Sequence, residues 1–352
     1  MKQKLKAVAL AAMLVAPLWQ TPLLAAEAKK PTSKSAKASA AKKNHQVAAK
    51  AAPKTTSKTA AKAAPKRTNA VAVNHNVRQV AEVAKKPVRR VSTMIEDPSR
   101  LALYSASALV IDQNSGQRLI EKQPDVVVPI ASISKLMTAM VMLDAHLDLQ
   151  EVISISEEDV DSLKGTRSRL PVGTTMTRET ALLLALMSSE NRAAHALGRH
   201  YPGGLPAFVQ AMNRKAQALG MTRSNFEEPT GLSSNNVSTA QDLARMVAAA
   251  ARYPEIRQAS TTAEARVDLN GRITEFHNTN ALVRSDNWEI GVSKTGYISE
   301  AGRCLVMQAR VADKPVVIVL LDSNGKMTRV GDANRIKRWM ESASLAPDRR
   351  RA

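Results

Sequence analysis

The chain reads as an α+β protein in which an antiparallel sheet is flanked by helices. Three observations carry that reading. A strand–turn–strand pattern opens the ordered part, and a block of apolar positions at three- and four-residue spacing follows. From Ala265 onward the apolar period changes to two, until a last helical stretch. Strands and helices kept apart in blocks indicate a layered α+β domain, and the βαβ alternation of a doubly wound sheet is missing.

Residues 106–112 form the first predicted strand, Gln113-Asn114-Ser115-Gly116 the turn, and residues 117–121 the return strand. An extended apolar approach, Val126-Val127-Val128, leads into Pro129-Ile130-Ala131-Ser132-Ile133-Ser134-Lys135-Leu136. Met137, Met140, Val141, Leu143 and Leu147 then make a stripe at helical spacing, which puts Ser132 in the first turn of a helix. Residues 151–155 and 163–177 read as irregular, broken at Pro171-Val172-Gly173. Helices are predicted over 178–187, 192–199 and 205–219, the last two separated by Tyr201-Pro202-Gly203-Gly204. Ser238-Thr239-Ala240-Gln241 reads as a capping box that opens a helix through Ala251. Residues 265–269 and 272–277 flank Asn270-Gly271, a hairpin signal. A strand over 289–293, a strand pair over 302–311 and 315–321, and a helix over 327–344 complete the order.

Charge divides the chain into parts. Of its net +20, residues 27–95 hold +15, from seventeen Lys or Arg against Glu27 and Glu82. Lys2, Lys4 and Lys6 precede an apolar run over 7–18 and the small residues around Ala26-Glu27-Ala28, the make-up of a cleaved signal peptide over residues 1–28. An uncleaved N-terminal anchor is the competing reading of this short, Ala-rich run. Residues 29–95, rich in Ala, Lys and Pro, cannot bury enough apolar surface to offset chain entropy and read as a disordered basic linker. Residues 96–352 carry 31 basic and 29 acidic side chains and form the expected catalytic domain. This organisation implies a periplasmic location with peripheral envelope association. The linker is either a solvated tether or a polycation for an anionic envelope polymer. No folded nucleic-acid motif accompanies it, so nucleic acid is not an expected partner.

The single cysteine, Cys304, excludes an intramolecular disulfide and reads as a buried, inert thiol. His45, His75, His146, His195, His200 and His277 form no metal-ligand spacing, so neither a metal nor a cofactor is expected.

Three short stretches carry chemistry. Ser132 and Lys135, three apart, share a helix face, so the amine can reach the hydroxyl. A serine needs a base to become a nucleophile, and a lysine serves only if desolvation or a second cation lowers its pKa. Ser189-Glu190-Asn191, between two predicted helices, offers a hydroxyl relay and a carboxamide for an amide ligand. Lys294-Thr295-Gly296, at the end of a predicted strand, offers an ammonium, a hydroxyl and a residue without Cβ where an extended carboxylate ligand can lie. Taken singly, each stretch is better read as an ordinary helix cap or a solvated lysine. What points to chemistry is their occurrence together, in this order, separated by 57 and 105 residues.

The set resembles the low-molecular-mass penicillin-binding proteins, serine D-alanyl-D-alanine peptidases. Glu228-Pro229-Thr230-Gly231-Leu232 and Ser238-Thr239-Ala240-Gln241-Asp242-Leu243-Ala244 extend the match. The runs 188–194, 198–204, Lys294-Thr295-Gly296-Tyr297-Ile298 and 300–304 are most similar to the endopeptidase (penicillin-binding protein seven) type. The resemblance implies a DD-peptidase/β-lactamase-like antiparallel sheet, a helical subdomain, and a site in the cleft between them. It implies Ser132 as nucleophile and Lys135 as base, with Lys294 holding the Lys135 pKa down. Ser189 is the proton relay, although sequence leaves the division of roles between Lys135 and Ser189 open. Asn191, Lys294, Thr295, Gly296 and Tyr297 bind substrate, with the N–H groups of Ser132 and Tyr297 as oxyanion hole. Implied partners are peptidoglycan stem peptides and, as covalent inhibitors, β-lactams. A D-alanyl-D-alanine carboxypeptidase is the alternative of the same class. A β-lactamase or a non-catalytic wall-binding protein is more remote. Glu190 stands where class A β-lactamases usually have Asp, and neither a deacylating-glutamate loop nor the carboxypeptidases' second β-rich domain and C-terminal anchor is visible.

Overall fold

The computed structural model describes residues 101–344; the signal segment over 1–28 and the linker over 29–95 lie outside the described residues. In chain order, β1 (Ser105–Asp112) and β2 (Arg118–Lys122) make the first hairpin. β3 (Val128–Pro129) leads through a 3-10 turn, Ala131–Ile133, into α1 (Ser134–Asp144). β4 (Val152–Ser154), β5 (Thr175–Thr177), α2 (Arg178–Met187), α3 (Asn191–Arg199) and α4 (Gly204–Ala218) follow. Then come β6 (Val237–Ser238), α5 (Ala240–Ala250), α6 (Pro254–Thr261), β7 (Glu264–Leu269) and β8 (Arg272–His277). β9 (Glu289–Ile298), β10 (Gly302–Val311), β11 (Lys314–Ser323) and α7 (Thr328–Ser344) complete the described part.

One antiparallel sheet of order β2-β1-β11-β10-β9 joins both ends of the domain. Its inner strands are continuous apolar runs because both faces are covered. On one face Val110, Met307 and Ile318 pack with Ala333, Ile336 and Met340 of α7. On the other, Leu109, Val306, Val317 and Leu321 belong to the larger core shared with α1 to α6. The α+β class and the antiparallel sheet between helices agree with the sequence reading.

Four local expectations are corrected. Residues 151–155 and 163–177 are not wholly irregular: β4 pairs with β5, from Val152 opposite Thr177 to Ser154 opposite Thr175. These strands are three residues each, too short to show a period. The cap of α5 is Thr239, whose hydroxyl accepts from Asp242 N at 3.0 Å. Ser238 is instead in β6, with its Oγ 2.7 Å from Ser224 Oγ. Ser132 lies in the 3-10 turn ahead of α1 rather than in the α-helix itself. β9 does not end at Ser293; it runs on through Lys294, Thr295 and Gly296, opposite Val306, Leu305 and Cys304 of β10. Polar residues there read as a stop, yet Lys294 is only 1% exposed.

Candidate active site

Ser132 is held by backbone packing on two sides. Gly231 has φ +81, and a Cβ built on it would sit 1.9 Å from Ala131 O and 2.7 Å from Ser132 N. A Cβ on Gly296 of β9 would sit 2.9 Å from Ile130 O and 3.1 Å from Ser132 N. Both positions require glycine because backbone lies on backbone. Ala131 itself is in the left-handed region at φ +50, an uncommon conformation for a residue with a Cβ.

The loop before β6 is shaped by Glu228. One of its carboxylate oxygens accepts from Thr230 N at 2.6 Å and the other from Gly231 N at 2.6 Å. Asn236 Nδ2 donates to Glu228 O at 2.8 Å and to Ser134 Oγ at 3.0 Å, tying the loop to the start of α1. The loop thereby delivers a carbonyl, Thr230 O, to the first buried lysine.

That lysine is Lys135, fully buried in the first turn of α1. Its Nζ donates to Ser132 Oγ at 2.8 Å, Asn191 Oδ1 at 2.7 Å and Thr230 O at 2.6 Å. Burial pulls its pKa from 10.5 down to about 7, against the opposing pull of Glu228 and Glu190. The expectation that Lys294 holds Lys135 down is corrected here, since burial does that. Lys294 is itself lowered well below its ordinary value, by burial first, then by the charges of Lys135 and Arg329.

Ser189 occupies the α2–α3 turn at φ +62 and accepts from Lys294 Nζ at 2.9 Å. Glu190 anchors this turn: its carboxylate accepts from Ser168 Oγ at 2.6 Å and from Arg169 Nε at 2.9 Å. Asn191 opens α3 and donates through Nδ2 to Thr166 Oγ1 at 3.0 Å. On β9, Thr295 Oγ1 donates to Thr279 Oγ1 at 2.6 Å. The Tyr297 side chain is exposed, with the Arg303 guanidinium 4.5 Å from its ring centre. Arg329 of α7 donates to Gly296 O at 2.9 Å, supporting β9 from behind. Cys304 is buried and its thiol is pushed up to about 11 by burial, in keeping with an inert role.

Direct contacts therefore link Ser132, Lys135 and Asn191 in one group and Ser189 and Lys294 in another, the charge of Lys135 acts on Lys294, and Thr295 and Gly296 continue the strand that carries Lys294. Sequence reasoning missed the roles of Thr166, Ser168, Arg169, Glu228, Thr279 and Arg329. Only Glu228 carried a local signal, through the Glu-Pro-Thr-Gly turn it closes. The others reach the site from loops and helices distant in sequence.

The arrangement offers a hydroxyl beside an amine of near-neutral pKa, a second hydroxyl beside a second amine, and an extended strand edge. A sequence profile described as D-alanyl-D-alanine carboxypeptidase matches residues 93–325, which span all three stretches. The chain belongs to the D-alanyl-D-alanine carboxypeptidase family. Within that family it is similar to the D-alanyl-D-alanine endopeptidase of Pseudomonas aeruginosa, 50% identical over 250 residues, covering 70% of this chain and 81% of the relative. The D-alanyl-D-alanine endopeptidase of Escherichia coli K12 is 47% identical over 251 residues, covering 71% of this chain and 81% of the relative. Among solved structures, the Streptomyces K15 DD-transpeptidase superposes with a TM-score of 0.63 at 26% identity, covering 68% of this chain and 97% of that one.

Proposed function

We propose that the protein is a penicillin-sensitive serine D-alanyl-D-alanine endopeptidase that hydrolyses D-alanyl cross-links between peptidoglycan stem peptides. The observation that carries the chemistry is the 2.8 Å contact between Ser132 Oγ and the buried Lys135 Nζ, whose pKa near 7 makes a neutral amine available at physiological pH. The neutral amine takes the Ser132 proton as Oγ attacks the D-alanyl carbonyl, and an acyl-enzyme forms with loss of the amine product. Ser189, in contact with Lys294, passes a proton to that leaving amine. Asn191 holds the substrate amide, and Lys294 with Thr295 binds the carboxylate beside the scissile bond. The N–H groups of Ser132 and Tyr297 receive the oxyanion, with Gly296 allowing β9 to lie close to Ser132. Water then releases the acyl group.

The bond choice is supported by the relatives named endopeptidase. A terminal D-alanine offers the same carboxylate, so a carboxypeptidase is the second reading, favoured by the family description. The N-terminal composition supports a signal peptide over 1–28, a periplasmic site of action in wall remodelling, and a basic linker over 29–95 that touches anionic envelope polymer.

Two measurements test the proposal. Fluorescent penicillin labels the wild type covalently and Ser132→Ala not at all; stable labelling of the alanine variant at the same place rejects the nucleophile. Cross-linked muropeptide dimer is cut with a higher kcat/KM than pentapeptide monomer; the reverse order assigns the carboxypeptidase.

A further inference from the structure

Asn191 has two ends, and the structure contains a device that decides which one faces Lys135. Asp161 is a carboxylate and only accepts hydrogen bonds. One of its oxygens accepts from Leu163 N at 2.8 Å and Lys164 N at 2.9 Å. The other accepts from Thr166 N at 2.7 Å and from Thr166 Oγ1 at 2.6 Å. The single hydroxyl proton of Thr166 is thereby committed to Asp161, and Oγ1 has only lone pairs left to offer. The Asn191 atom facing it at 3.0 Å must then be the donor Nδ2, and Oδ1 turns to Lys135 Nζ at 2.7 Å. An amide nitrogen has two hydrogens, so one remains for a substrate carbonyl. A salt bridge of 2.5 Å from Lys164 to Glu300, in the β9–β10 turn, ties this loop across to the strand that carries Lys294.

We propose that Asp161 and Thr166 are positioning residues that fix the orientation of the Asn191 amide, so that its oxygen faces Lys135 and its nitrogen faces the substrate. The catalytic meaning of that orientation rests on the function proposed above; the orientation itself does not. An oxygen facing Lys135 favours the ammonium form, and a nitrogen turned toward it would disfavour that form. The charged groups around Lys135 are Glu228 from the loop before β6, Glu190 from the α2–α3 turn, and Lys294 from β9. Replacing Thr166 leaves all three in place, so a change in Lys135 titration reports the amide.

The experiment follows the Lys135 side chain by NMR over a pH series in the wild type, Thr166→Val and Thr166→Ser, alongside penicillin acylation rates and thermal melts. Valine keeps the size and branching but removes the hydroxyl. We expect Thr166→Val to lower the Lys135 midpoint by about one pH unit, a tenfold change in the protonation ratio or about 1.4 kcal/mol. The plateau acylation rate falls severalfold and the melting temperature changes little. Thr166→Ser keeps the wild-type midpoint. An unchanged midpoint in Thr166→Val overturns the inference, as does an equal shift in Thr166→Ser. A wild type that penicillin does not acylate rejects the proposed function instead, and the NMR midpoints still judge the positioning role.

Discussion

Lys135→Met isolates what the fold gives up to keep a buried base. Lysine titrates near 10.5, and burial holds Lys135 at about 7. The folded state binds fewer protons than the unfolded state between those values, so Lys135 lowers stability fully below about pH 7. That deficit shrinks as pH rises and is gone above about 10.5. At about 1.4 kcal/mol per pKa unit, the deficit is roughly 5 kcal/mol at pH 6 and under 1 kcal/mol at pH 10. Methionine fills similar space without a charge, but it strands Asn191 Oδ1 and Thr230 O, each at a cost of about 1–3 kcal/mol. That cost does not vary with pH. The stability difference between variant and wild type should therefore slide by about 4 kcal/mol between pH 6 and pH 10, with the variant favoured toward the acid end. Removing Lys135 also relieves Lys294, which it holds down, and adds to the slide with the same sign. For a domain of this size the slide corresponds to roughly 10 °C in Tm. Calorimetric melts of both proteins at pH 6, 8 and 10 read it directly. A Tm difference that stays constant across the series would refute the buried, depressed lysine.

Other outcomes follow from the same geometry. Penicillin acylation should fall about tenfold per pH unit below 7 as Lys135 becomes charged, and a flat profile from pH 5 to 9 in stopped-flow labelling removes it as the base. Gly231→Ala places a Cβ 1.9 Å from Ala131 O and should slow acylation by on the order of 100-fold by displacing Ser132. Gly271→Ala, also at positive φ but in open space, should lower only the melting temperature. Asp159 is held at about 2: burial works against it, but hydrogen bonds from His195 and Arg199 prevail. Its depressed pKa contributes about 2 kcal/mol above pH 4, lost as pH falls toward 2. Asp159→Asn should accordingly destabilise at pH 7 and make little difference near pH 2 in denaturant titrations.

Much of the fold is legible because its signals are local. The Asn270-Gly271 hairpin forms with both residues at positive φ, and the strand pair after Gly302 lies in the sheet as its apolar runs imply. The stretch through Lys294 misled for a physical reason. A lysine in sequence looks like a solvated end, and only the tertiary structure shows that it is buried among Ser189, Thr295 and the strand backbone. The same limit applies to the Lys135 pKa. Its lowering comes from burial by elements as distant as the 228–231 loop, which no spacing rule brings next to residue 135. The three reactive stretches were visible because each is a compact local pattern. Thr166, Thr279 and Arg329 were not, because each reaches the site only through contacts made across the fold.

The two buried lysines also bear on what kind of ligand would suit the site under the proposed function. Among the described residues, every hydrogen bond of Lys135 and Lys294 goes to a neutral oxygen: Ser132, Asn191 and Thr230 for one, Ser189 and the Thr295 carbonyl for the other. Glu228 is occupied by the N–H groups of its own loop, and Glu190 by Ser168 and Arg169. Neither carboxylate is used as a direct ion-pair partner for the lysines. Burying an ammonium without a counter-ion is expensive, and its pKa falls in response. An incoming carboxylate beside Lys294 would lessen that cost, so binding energy concentrates on ligands that bring a negative charge. It would also favour the charged form of Lys294, and a cation there disfavours a second one at Lys135. Burial already holds Lys135 at about 7, and a charged Lys294 beside it would act in the same direction.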